Sequence, residues 1–136
     1  MRIVMRTVIC FGTFDVLHLG HLNYFQQAKK YGDYLIAVIA RDKKVKKKII
    51  FSEEERLKLI KHLRVIDEAV LGDEQDFLKI IEKKKPAVIC LGYDHQIEIK
   101  ELKEKLNQRG LNPEIKRMKS YQQSKYKSSL IKNHPR

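Results

Sequence analysis

Apolar residues along the chain fall into short unbroken runs, separated by longer stretches in which they recur every three or four positions. The runs Ile3 to Phe11, Tyr34 to Ala40, Val65 to Leu71, Ala87 to Leu91 and Glu114 to Met118 are each bounded by polar residues or glycine and read as strands. The stretches from about Leu19 to Tyr31, Ser52 to Leu63, Glu74 to Lys84 and Ile97 to Arg109 have helical spacing. Their ends are punctuated as helices require. Ser52 followed by Glu55 is a capping box, and Gly32 and Gly110 stand where helices stop. Strands alternating with helices predict an α/β fold, a doubly wound sheet of about five parallel strands covered on both faces.

Such a sheet binds its ligand at the carboxyl ends of the strands, where the strand order reverses. The loops after the first and fourth strands are therefore the places to look for chemistry. They read Gly12-Thr13-Phe14-Asp15-Val16-Leu17-His18-Leu19-Gly20-His21 and Leu91-Gly92-Tyr93-Asp94-His95.

A chain of 136 residues, 43% hydrophobic and 34% charged, fits one compact domain spanning residues 1–136 with a single core. The opening segment Met1 to Phe11 carries Arg2 and Arg6 and is too short for a signal-peptide core. No stretch approaches the roughly 20 apolar residues of a membrane span, so a cytoplasmic protein without a membrane partner is expected. Cys10 and Cys90 each sit at the end of an apolar run and read as buried thiols. The formal net charge of +12 calls for an anionic partner: nucleic acid, an anionic membrane surface or a small phosphorylated molecule. Tyrosines and phenylalanines do not interleave with the lysines as a stacking platform would, which argues against nucleic acid. Much of the lysine excess also suits a solvated surface.

His18 and His21 lie three apart at the entrance of the first helix, on one face of its first turn. With Gly20 between them and the positive end of the helix dipole beneath, they favour an anion, most naturally a polyphosphate. The plainer alternative is that both rings only cap the helix. A zinc pair on a helix sits at i and i+4 around a glutamate, and no third ligand is evident in the sequence.

The run Gly12-Thr13-Phe14-Asp15 followed by His18-Leu19-Gly20-His21 resembles the nucleotide-binding signature of the cytidylyltransferase-like superfamily. Tyr31-Gly32-Asp33-Tyr34-Leu35-Ile36, Ala40-Arg41-Asp42, Asp67-Glu68-Ala69-Val70-Leu71-Gly72 and Leu91-Gly92-Tyr93-Asp94 extend the likeness over nearly the whole chain. There it resembles the archaeal FAD synthase branch, and next the glycerol-3-phosphate cytidylyltransferase branch. The resemblance implies a Rossmann-like fold of the His-x-Gly-His nucleotidyltransferase type. It also implies that Thr13 and Phe14 contact the triphosphate nucleotide, and that His18 and His21 are catalytic at its phosphates with Leu19 and Gly20 in the same turn. Asp94 and Tyr121 would touch the nucleotide from the opposite wall, and Ser129, beside Ser128, would bind phosphate at the start of a terminal helix. Superfamily members commonly have an arginine shortly after that segment, whereas this chain has Ile131 and Lys132. One lysine of the run Lys43 to Lys48, shorter than the basic loop of relatives, would reach the phosphates.

The implied reaction uses no enzyme nucleophile. The acceptor phosphate attacks the α-phosphorus in line and pyrophosphate leaves, with catalysis by positioning and charge stabilisation. A divalent cation, Mg²⁺ by expectation, would bridge the phosphates without a dedicated set of protein ligands, Asp15 standing either outside its first shell or in a turn role. The leading expectation is transfer of AMP from ATP to FMN to give FAD. The alternatives are a cytidylyltransferase using CTP and glycerol 3-phosphate or a related phosphate, and, from another class, a non-catalytic nucleotide- or RNA-binding protein. Relatives commonly associate, so a homodimer is a further expectation of the resemblance.

Overall fold

The computed structural model describes residues 5–121. In chain order the elements are β1 (Thr7–Gly12), α1 (Leu19–Lys29), β2 (Tyr34–Ile39), α2 (Glu53–Lys61), β3 (Glu68–Leu71), α3 (Lys79–Lys84), β4 (Val88–Leu91), α4 (Ile99–Gln108) and β5 (Glu114–Arg117), with a 3₁₀ turn at Asp42–Lys44. The five strands form one sheet in the order β3-β2-β1-β4-β5, and every pairing is parallel.

Period-two alternation explains why both faces are dry. Val8, Cys10, Leu35, Ala37, Ile39, Val88 and Cys90 point to one side, where Tyr24, Phe25 and Ala28 of α1 and Ile60 of α2 cover them. Ile9, Phe11, Ile36, Val38, Ile89 and Leu91 point to the other, against Ile81 of α3 and Leu102 and Leu106 of α4. A strand apolar at every position suits a parallel sheet between two helical layers. Cys10 and Cys90 are buried free thiols, as expected.

The chain runs outward from β1 through β2 to β3, then returns across the sheet to begin β4 on the far side of β1. The reversal point therefore lies between β1 and β4. Tyr24, on α1, marks it: its hydroxyl stands 3.2 Å from the Phe11 carbonyl and 2.8 Å from the Cys90 carbonyl, near the ends of both strands.

Several boundaries differ from the sequence reading for local reasons. The predicted helix from Glu74 begins only at Lys79, because the Asp73 carboxylate accepts the N–H groups of Gln75 and Asp76 at 3.0 and 2.7 Å, and Asp76 accepts that of Leu78 at 3.1 Å. These side-chain turns compete with helix for the same donors. Strand β3 starts at Glu68, not Val65, the preceding residues forming a turn closed by the Ile66 N–H on the Leu63 carbonyl at 3.1 Å. The Ser52 capping box forms with both reciprocal bonds, at 3.1 and 3.3 Å. Gly110 takes φ +77 after α4 and closes a Schellman motif, with Leu111 N–H on Leu106 and Gly110 N–H on Asn107 at 2.9 and 3.0 Å.

Candidate active site

The turn after β1 is built around a glycine and an aromatic ring. A Cβ on Gly12 would come within 2.4 Å of the Phe14 ring, so only glycine lets that ring fold under the turn. Phe14 stands at φ 54, a left-handed backbone that costs a residue with a side chain roughly 1–2 kcal/mol. Burial of the ring offsets this. The ring is 5% exposed and packs against His21, Tyr24 and Phe25 at centroid distances of 5.6, 6.3 and 4.9 Å. Phe14 thus supports the turn from below, and its ring is a packing group, not an open face for a ligand.

His18 is the N-cap of α1 and His21 the third helical residue. The His18 Nδ1 accepts the Gly20 N–H at 3.0 Å, and the His21 Nδ1 accepts the His18 N–H at 3.3 Å. The rings stack with centroids 3.9 Å apart and planes 21° apart. Capping and ligand binding, posed as alternatives by the sequence, need not compete, because capping uses Nδ1 of each ring. Each Nδ1 is committed to a backbone donor, so the proton of each neutral ring resides on Nε2. Burial holds His18 below the usual imidazole range, and burial together with neighbouring His18 pushes His21 down to about 3. The pair is therefore neutral at ordinary pH and donates through Nε2–H. The cap also occupies the Gly20 N–H.

Around the turn, interactions outside the sequence reading hold the loops in place. Asp15, 2% exposed, accepts the N–H groups of Ile50 and Phe51, each at 2.8 Å. Both oxygens grip the strand of loop that enters α2, so Asp15 braces the turn after β1 against that loop. Arg56 is fully buried and ties three segments together: its guanidinium reaches the Thr13 carbonyl at 2.7 Å, the Phe51 carbonyl at 3.1 Å and the Asp42 carboxylate at 2.5 Å. Its signal in the sequence was a cation four residues before Ile60, on the buried face of α2.

Across the reversal point, the loop after β4 places Asp94 in solvent and Tyr93 half-buried. The His95 Nδ1 accepts the Gly92 N–H at 3.0 Å, and its ring approaches Tyr24 at 6.4 Å. Burial pulls His95 below its ordinary range; Asp94 opposes this, while Arg117 and Lys47 reinforce it. Lys47 is thus the member of the basic run whose charge is felt at this loop. Arg117 on β5 donates to the carbonyls of Gly92, His95 and Ile97 at 3.2, 2.6 and 2.6 Å. Neither His95 nor Arg117 was singled out by the sequence, because the His95 role arises from a turn within the loop and the approach of Tyr24, and the Arg117 role from β5 meeting the loop after β4.

Of the expected site residues, Thr13, Phe14, His18, Leu19, Gly20 and His21 share one turn, with Leu19 51% exposed. Asp94 stands in the neighbouring loop. Tyr121 follows a segment bound to α1 by Gln27, which exchanges two 2.9 Å hydrogen bonds with the Lys119 backbone. Ser129, with Ser128, lies outside the described residues.

Among the described residues no group of three or more His, Cys, Asp or Glu side chains could hold a metal ion. Among the same residues no helix is long and apolar enough to cross a membrane.

The cytidylyltransferase-like family model matches residues 9–134. The FAD synthase of Ferroglobus placidus is 46% identical over 118 residues, which cover 85% of this chain and 78% of that protein. The FAD synthase of Archaeoglobus profundus is 44% identical over 127 residues, 92% of this chain and 82% of that one. Among solved structures, the lipopolysaccharide core biosynthesis protein from Thermoplasma volcanium superposes with a TM-score of 0.84 at 43% identity, covering 87% of this chain and 99% of the other.

Proposed function

Because the chain belongs to the cytidylyltransferase-like family, we propose that it is an FMN adenylyltransferase, transferring AMP from ATP to FMN and releasing pyrophosphate. The observation that carries this reading is the 41–46% identity to FAD synthases over most of the chain.

The bond that forms joins an FMN phosphate oxygen to the α-phosphorus of ATP. The bond that breaks joins the α-phosphorus to the oxygen bridging to the β-phosphate, and its electron pair leaves with pyrophosphate. Nε2–H of His18 and of His21 donate to phosphoryl oxygens, where their hydrogen bonds strengthen as charge builds in the transition state. Because both rings are neutral donors, they shed no proton during the reaction. One lysine of the run Lys43 to Lys48 reaches the phosphates. Asp94 takes a ribose hydroxyl, and Tyr121 closes the nucleotide from the α1 side. A divalent cation, Mg²⁺ by expectation, would supply charge neutralisation for the pyrophosphate leaving group.

The test is pyrophosphate release with ATP or CTP against FMN or glycerol 3-phosphate. ATP with FMN is expected to give FAD and pyrophosphate, a chelator to stop the reaction, and CTP with glycerol 3-phosphate to give little. Turnover of CTP with glycerol 3-phosphate and none of ATP with FMN would overturn the reading.

A further inference from the structure

The loop between β3 and α3 leaves a large aromatic ring in solvent. Phe77 is 43% exposed, and one side of its ring lies against Phe11, with centroids 4.7 Å apart and planes tilted by 38°. Phe11 is the last residue of β1 before Gly12 and belongs to the core layer under α3 and α4. The Phe77 ring therefore stands at the carboxyl edge of the sheet, across β1 from the layer that holds Phe14 and α1.

This exposure is held in place by the loop. Asp73 and Asp76 tie the turn through the N–H groups of Gln75, Asp76 and Leu78. Arg109 grips Asp76 with two nitrogens, at 2.8 and 3.2 Å, and binds Glu82 at 2.8 Å. A fixed aromatic ring with one side packed and the other open is suited to receive a second planar ring by offset stacking.

We propose that Phe77, backed by Phe11, is the platform for the isoalloxazine ring of FMN. The inference rests on the FMN-adenylylating reading above and assigns the acceptor's ring a place within it. Phosphate acceptors differ in what lies behind the phosphate. Glycerol 3-phosphate has only hydroxyls there, and an exposed phenylalanine offers them nothing. FMN has a planar, largely apolar tricycle at the far end of the ribityl chain. With its phosphate at the His18–His21 turn, that ring must lie away from the histidines, and the phenylalanine pair supplies an apolar surface along the same edge of the sheet.

Steady-state kinetics of Phe77→Ala and Phe77→Tyr, with KM for FMN and for ATP measured separately, test the assignment. Riboflavin, which keeps the ring and lacks the phosphate, serves as an inhibitor competitive with FMN. The alanine variant is expected to raise the FMN KM and the riboflavin inhibition constant about tenfold, with ATP KM unchanged and full recovery in the tyrosine variant. A normal FMN KM in Phe77→Ala overturns the platform while leaving the reaction intact. A rise in ATP KM alone assigns the ring to adenine and overturns it equally. If the unaltered chain fails to adenylylate FMN, the functional reading falls, and the platform with it.

Discussion

The turn after β1 and the loop after β4 leave the sheet side by side, and in each a histidine Nδ1 accepts a backbone N–H. Beyond that they are built in opposite ways. The first runs directly into α1, is backed by Phe14, Tyr24 and Phe25, and turns two stacked imidazoles into helix caps. The second reaches α4 through Glu98, an N-cap that makes no side-chain capping bond, and is braced from β5 by Arg117 on three carbonyls. The first is therefore a donor site whose rigidity comes from a helix, suited to phosphate. The second has its carbonyls tied off and an acceptor carboxylate, Asp94, in solvent, suited to the hydroxyls of a nucleoside. On the proposed function, the first side would serve the reacting phosphates and the second would hold the rest of the nucleotide.

The division of labour predicts different kinetic losses on the two sides. His21→Ala is expected to lower kcat by about 10²- to 10³-fold with a much smaller change in ATP KM, as for loss of a donor to developing charge. Asp94→Ala is expected to raise ATP KM about tenfold, the weight of one hydrogen bond to ribose, with kcat near normal. Steady-state rates at varied ATP check both. A kcat loss confined to Asp94→Ala would reverse the comparison.

A further expected effect concerns acid stability and not turnover. The folded pKa of His21 is held at about 3, below the unfolded value near 6.5. Between those values the unfolded chain binds the extra proton, so stability falls as pH drops through that window and this contribution levels off below about 3. His21→Gln is expected to flatten that limb in urea titrations from about pH 7 to pH 4. An unchanged slope would mean that His21 is not buried as a neutral ring.

The sheet was legible because burial on both faces leaves β1, β2 and β4 apolar throughout, a pattern no surface element imitates. Helix α3 was misread at its start because Asp73 and Asp76 use their carboxylates on nearby N–H groups, and apolar spacing carries no trace of that. In the site, the spacing of His18 and His21 gave a shared helical turn. It did not show that Nδ1 serves the cap and leaves the proton on Nε2. The ring of Phe14 belongs to the core because Gly12 makes room for it, a contact between residues two apart, with Phe14 in a left-handed backbone, that apolar spacing does not reveal. Arg56 went unread for a further reason: among 29 lysines and arginines, a buried one is distinguished only by the carbonyls and carboxylate that meet it.

Whether the histidines act on the phosphates or only hold the helix is decided by His18→Asn. Asparagine is among the strongest N-caps, so its side-chain oxygen can accept the Gly20 N–H while the Nε2–H donor is lost. The measurement is kcat for FAD formation from ATP and FMN, taken beside the thermal unfolding midpoint of the same preparation. The account predicts a fall in kcat of about 10²-fold or more with a midpoint within about 2 °C of the unaltered chain. A near-normal kcat in the folded variant would contradict it and leave His18 as a helix cap alone.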